Sequence, residues 1–89
     1  MKGETMENKV ALIGIVVENF DEVGNLNAIL HEYADYIIGR MGLPYKKRDV
    51  SIISVAIDAP LDVINALSGK IGKLSGVTSK TVYAKLDEE

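Results

Sequence analysis

One histidine, no cysteine and thirteen carboxylates make up the reactive inventory of this 89-residue chain. Without cysteine there is no disulfide, no thiolate metal site, no iron–sulfur ligation and no cysteine nucleophile. His31 is followed by Glu32 and Asp35, but that spacing is not a metal motif, and one histidine cannot build a His-rich site within one chain. It reads as a surface or interface histidine, and no metal is expected. The carboxylates form no nucleophile–base pair that spacing alone can define, so neither an enzyme nor a cofactor is expected. A composite site shared between subunits is the remaining route to catalysis.

Binding is better supported than catalysis. In Asp21-Glu22-Val23-Gly24-Asn25-Leu26, Gly24 permits close backbone approach. The N–H groups of a helix beginning there could hold an anion or an amino-acid carboxylate. A capped helix with a permissive glycine is the simpler reading of the same residues. Arg40 lies between Gly39 and Gly42, where bulk is low, and could anchor an anion or a salt bridge between subunits. The candidate ligand site is therefore Asp21, Gly24, Asn25, Leu26 and Arg40. In Leu67-Ser68-Gly69-Lys70-Ile71-Gly72-Lys73-Leu74 two glycines fall three apart in a helical pattern, each costing about 1 kcal/mol relative to alanine. Close packing against another backbone is the expected compensation. The Gly-x4-Gly-Lys-Ser/Thr order of a phosphate loop is absent.

Composition bounds the partners. Ten Lys and Arg against thirteen Asp and Glu leave a net charge of −3. Lys46-Lys47-Arg48 supplies three charges, too few for a nucleic-acid face in an acidic domain, so no direct nucleic-acid contact is expected. A hydrophobic fraction of 47% is ordinary for a folded domain. The charged N-terminus lacks the apolar core of a secretory signal. The longest apolar run, residues 10–17, is far shorter than the roughly 20 residues of a membrane-spanning helix. A cytoplasmic location without membrane contact is expected. The length suits a single domain over residues 8–87, with a flexible tail at 1–7 and an acidic end at Asp87, Glu88 and Glu89.

The elements that must position these residues follow from periodicity. Residues 9–18 are β-branched and apolar on both faces, as in a central strand covered on both sides. Val23, Leu26, Ile29, Leu30, Tyr33 and Ile37 mark one face of a helix starting near Asp21, whose carboxylate suits a cap. Residues 37–42 form a short, Gly-interrupted edge strand, and residues 44–49 a polar loop. Residues 50–58 form a second apolar strand, with Ile53, Val55 and Ile57 on one side and Ile52, Ser54 and Ala56 on the other. Asp58-Ala59-Pro60 signals a helix start with Pro60 in the first turn. Leu61, Ile64, Leu67, Ile71 and Leu74 continue as a helical stripe that Gly76 ends as a cap. Residues 77–86 form the last strand, whose Lys80 and Lys85 suit an edge.

The order β-α-β-β-α-β is that of a ferredoxin-like α+β sandwich, with a four-stranded antiparallel sheet and two helices on one face. Its first and third strands are central, and here those two are the most apolar. The helices leave the other sheet face bare, and a bare apolar face is uncommon on a soluble monomer. A core of about 80 residues is also marginal. Both points predict a homo-oligomer, a dimer or tetramer, formed by sheet stacking or edge pairing.

Three stretches together carry a family resemblance: Ile29-Leu30-His31-Glu32-Tyr33, Ile38-Gly39-Arg40-Met41-Gly42-Leu43-Pro44-Tyr45, and Ala66-Leu67-Ser68-Gly69-Lys70-Ile71-Gly72 with Gly76-Val77. Over roughly residues 9–86 the chain resembles the iron-only hydrogenase system regulators. That resemblance implies an ACT-like fold, similar to the ligand-sensing C-terminal domain of the nickel-responsive repressor, and a regulatory role. The repressor's histidines and cysteine have no counterparts here, so nickel binding does not carry over. Nor do residues remain for a separate DNA-reading domain, so transcriptional control would need a protein partner. Asp21, Gly24 and Leu26 resemble the Asp-x-x-Gly-x-Leu element with which ACT domains bind amino acids between subunits. The function expected is a regulatory module that senses a small effector as an oligomer, or binds a protein partner. The alternative is an assembly module without a small ligand.

Overall fold

In a computed structural model, residues 7–85 are described. The expected tail residues 1–6 and the acidic end, residues 87–89, lie outside them, as does residue 86 of the last expected strand. Four strands and two α-helices alternate as β1 (Asn8–Val17), α1 (Val23–Glu32), β2 (Ile37–Tyr45), β3 (Val50–Pro60), α2 (Leu61–Gly72) and β4 (Val77–Tyr83). They form one antiparallel sheet in the order β2-β3-β1-β4. The apolar strands β1 and β3 are central, as the sequence pattern requires.

The period-2 alternation of the two central strands sends one set of side chains under the helices. Ile13, Ile15 and Val17 of β1 and Val55, Ile57 and Ala59 of β3 are buried there against Leu26 and Leu30 of α1 and Ile64, Leu67 and Ile71 of α2. Each of the valine, leucine and isoleucine side chains gains on the order of 2 kcal/mol by leaving water. No charged or polar residue is buried among the described residues.

The alternate set faces away from the helices, and three cross-strand rows define its relief. Leu43, Ile52, Val16 and Thr78 form one row. Met41, Ser54, Gly14 and Lys80 form the next, and Gly39, Ala56, Leu12 and Val82 the third. Leu12, Val16, Met41, Leu43, Ile52 and Val82 are all exposed.

Several boundaries differ from the sequence expectation, each for a local reason. β2 runs on to Tyr45 instead of stopping at Gly42, because Leu43, Pro44 and Tyr45 pair with Ile52, Ser51 and Val50. Pro44 is tolerated on an edge strand, where a donor is dispensable. Lys46–Arg48 then form a single 3-10 turn, and Asp49 closes it in the left-handed region at φ 62°. α1 stops at Glu32, so Ile37 begins β2 and does not extend the helical stripe. α2 starts after Pro60, which caps the helix from the end of β3 instead of lying inside the first turn. Leu61, expected on the buried stripe, is exposed at this start. Gly69 and Gly72 have open space where a Cβ would project, so the expected close backbone packing is absent.

Gly76 does not cap α2, which ends at Gly72 with Lys73 still in the right-handed region. Its φ of +72° instead starts β4 beside the β1–α1 connection. Its carbonyl accepts hydrogen bonds from the N–H groups of Glu18 at 2.7 Å and Asn19 at 3.3 Å. A Cβ at this position would stand 2.6 Å from that of Asn19. Gly76→Ala therefore combines left-handed strain with a clash. It should destabilise the fold by about 2 kcal/mol and lower the urea midpoint by about 1 M. An unchanged midpoint would show that the β1–α1 connection yields freely.

Candidate functional site

The entry to α1 is built around Asn19, not Asp21. A 3-10 turn, Phe20–Glu22, precedes the helix, and the Asn19 side chain caps it by accepting from the Asp21 N–H at 3.1 Å. The Asp21 carboxylate makes no cap because its residue already lies inside the turn. Glu22 ties the helix start to the rest of the fold. Its Oε1 accepts from Asn25 Nδ2 at 2.8 Å and its Oε2 from the Ser75 N–H at 3.4 Å.

The five residues singled out in the sequence divide into three places. Asp21, Gly24 and Asn25 are exposed around the start of α1. Leu26 is fully buried in the core, so its side chain offers a ligand no surface. Arg40 stands on β2, and its Nη2 donates to Asn27 Oδ1 at 2.8 Å, one turn along α1 from Gly24. The carboxylates of Asp21 and Glu22 flank the first turn, where they already complement the helix dipole and repel a further anion.

The positive charge beside α1 lies farther along the helix, at Arg40. A cleft of about 240 Å3 opens between the second half of α1 and the start of β2. Leu30, Ala34 and Ile37 give it apolar walls, and Asn27, His31 and Arg40 line it with polar groups. Among the described residues, no carboxylate lines it. Asn27 and His31 are four apart on α1 and so share one helix face. A break in the sheet brings Arg40 to the same place. Ile37 pairs with Ile57 and Arg40 with Val55, while the register shifts between Ile37 and Gly39. Three residues along a regular strand would point Arg40 away from Ile37. The extra residue in β2 restores it to the helix side. Spacing along the sequence does not reveal such a bulge, so Asn27 and His31 were missed, although their i, i+4 relation on a predicted helix was a usable signal.

The nearest acidic residue on the helix is engaged elsewhere. Glu32 accepts from Lys70 Nζ of α2 at 3.1 Å, and that ammonium also stands 5.3 Å from the centre of the Tyr33 ring. The hydrogen bonds to Glu32 and Tyr33 raise the Lys70 pKa above its ordinary value. A raised lysine pKa stabilises the fold while the ammonium is charged, and that contribution is lost as pH climbs through the raised value. Among the described residues, no group of three His, Cys, Asp or Glu side chains is placed to hold a metal ion. No helix among them is long and apolar enough to cross a membrane. Glu32→Gln should return the Lys70 titration toward its ordinary value, read from the 13Cε shift against pH. An unmoved titration would mean the carboxylate is not the partner that holds the proton.

The molecule resembles known proteins both in fold and in sequence. It superposes on the uncharacterized protein TM1266 from Thermotoga maritima with a TM-score of 0.85 and 35% identity, covering 89% of this chain and 100% of that one. A formyltetrahydrofolate deformylase from Pseudomonas putida KT2440 matches with a TM-score of 0.63 at 11% identity, over 85% of this chain and 29% of that chain. At that identity the likeness shows the fold alone, an ACT-like α+β domain. No curated protein matches the chain. A family model described as "Iron-only hydrogenase system regulator, putative" matches residues 9–81. With nearly the whole folded domain matched, the chain belongs to this TM1266-like family.

Proposed function

We propose that this protein is a non-enzymatic regulatory module of an iron-only hydrogenase system, that it works as a homo-oligomer in the cytoplasm, and that it responds to a small carboxylate. Family membership supports the regulatory part. The carboxylate rests on one observation: a guanidinium held by Asn27 beside an apolar wall, with His31 in the same cleft and no acid among the described residues lining it. One N–H of Arg40 is used by Asn27, which fixes the planar fork and leaves its other donors to grip an anion through two parallel hydrogen bonds. Leu30, Ala34 and Ile37 would cover a short aliphatic portion. The cleft lies below the roughly 300–1,000 Å3 of drug-sized sites, which suits a ligand of amino-acid or keto-acid size.

Regulation requires that the ligand bind one state better than another. α1 and β2 both line the cleft, so a bound anion would fix the angle between helix and sheet edge. That angle is transmitted to any neighbour resting on β2. A second reading, an assembly module with no small ligand, is favoured by the apolar side chains exposed on the far face of the sheet.

Thermal unfolding across small carboxylates, amino acids and inorganic phosphate separates these readings. A ligand at 100 times its Kd stabilises by about 2.7 kcal/mol, raising Tm by roughly 10 °C or more in a domain of this size. Arg40→Gln should abolish that rise and leave the unliganded Tm within about 3 °C, as for other exposed substitutions. A response to phosphate alone would identify a general anion site. Absence of any response, or an undiminished response in Arg40→Gln, would favour the assembly module.

A further inference from the structure

We propose that the open face of the sheet packs against the same face of a second copy of this chain, ridge into trough, about a two-fold axis. This rests on the homo-oligomeric reading and names the surface that makes the oligomer.

The relief of the face is self-complementary. Val16 and Ile52 form a ridge on the two central strands, and Leu12 with Ala56 a second. Between them Gly14 and Ser54, paired across β1 and β3, leave a trough. A Cβ at Gly14 would meet nothing within 4 Å, so the monomer gives no reason for a glycine there. Glycine inside a strand weakens it, and such a residue marks a place that another backbone or side chain approaches closely. Stacked sheets lie about 10 Å apart with interdigitated side chains. A two-fold axis between the Val16/Ile52 row and the Gly14/Ser54 row seats the ridge of each copy in the trough of the other.

The area of the face suits a second copy of the chain. Strand spacing and rise give a face of about 19 by 23 Å, so two copies cover about 900 Å2 before side-chain relief is counted. Specific interfaces begin near 1,000 Å2. Among the described residues the face carries one cation, Lys80, and one anion, Asp58; Lys80 stands on the edge strand β4, where its long stem can carry the ammonium past the seam into water. An apolar hollow of about 270 Å3 beside Leu12, Ala56 and Val82 continues the same surface toward Tyr83 and Ala84.

Gly14→Ile tests this directly. A Cβ at this position meets nothing within 4 Å in the monomer, the site lies on the open face of the sheet, and a β-branched residue suits a strand. In the dimer it fills both troughs at once, which should weaken association at least about 100-fold. Sedimentation equilibrium of the full chain should give an even multiple of 9.7 kDa for the native protein. Gly14→Ile should show half the native mass with unchanged far-ultraviolet circular dichroism. Leu12→Lys, at a side chain already 47% exposed, should dissociate the protein in the same way should the first variant fold poorly. A native protein that sediments as a monomer overturns both this interface and the oligomeric reading. A native oligomer that both variants leave intact overturns this interface alone, and assigns assembly to a sheet edge or a helix face.

Discussion

β1 imposes the constraint on which the rest of the molecule depends. It hydrogen-bonds on both edges, to β3 and β4, so it cannot leave the centre of the sheet. Its side chains are apolar on both faces, with Ile13, Ile15 and Val17 on one and Leu12 and Val16 on the other. Two helices joined by these short connections cover one face only. The helix side therefore becomes a dry core without a single buried charge among the described residues, and the far side keeps exposed the apolar residues that the same strand pattern supplies. An asymmetric sandwich of this kind places two surfaces at the disposal of function: the open sheet face and the seam where a helix meets the sheet edge.

The seam on the β2 side illustrates how a small irregularity acquires chemical meaning. The register shift between Ile37 and Gly39 turns Arg40 toward α1, where Asn27 accepts one of its N–H groups. Edge strands often carry bulges that re-aim a side chain. Here the result is a guanidinium, an amide and an imidazole around an apolar pocket. On the opposite end of α1, Glu22 and Asn19 fasten the helix start to the turn before β4, with Gly76 as the point of closest approach. The helix is thus held at its beginning and faces the cleft with its later turns, which suits an element whose tilt reports on a ligand.

The two surfaces meet at β2. Arg40 faces the helices, while Met41 and Leu43 face the open side. A ligand that draws Arg40 toward α1 and a neighbour that covers Met41 and Leu43 would act on the same edge strand from opposite faces. Coupling through one strand needs no long pathway, only a difference in the strand's position between two assemblies.

Much of the architecture was legible in the sequence. Hydrophobic periodicity separated the six elements, and the contrast between β1, β3 and the charged β4 assigned centre and edge, because burial on both faces demands apolar residues at successive positions. The bare apolar face followed from the same pattern. Boundaries were read less well wherever hydrogen bonding outran composition, as at Leu43-Pro44-Tyr45, which pairs with β3 despite a proline. Gly76 was visible as a glycine needing freedom, but only the folded chain shows that Asn19, not the end of α2, makes it necessary. The candidate site divided in the same way. Arg40, singled out by its type and its small neighbours, lines the cleft, while Asp21, Gly24 and Asn25 lie at a helix start already supplied with carboxylates. Asn27 and His31 join Arg40 only through a bulge, and a bulge is set by how two strands settle against each other and the core. The sequence by itself determined which faces are apolar, since that depends on residue type and period alone. The tertiary structure decided which polar groups share a cleft, since that depends on register and long-range packing that no local pattern encodes.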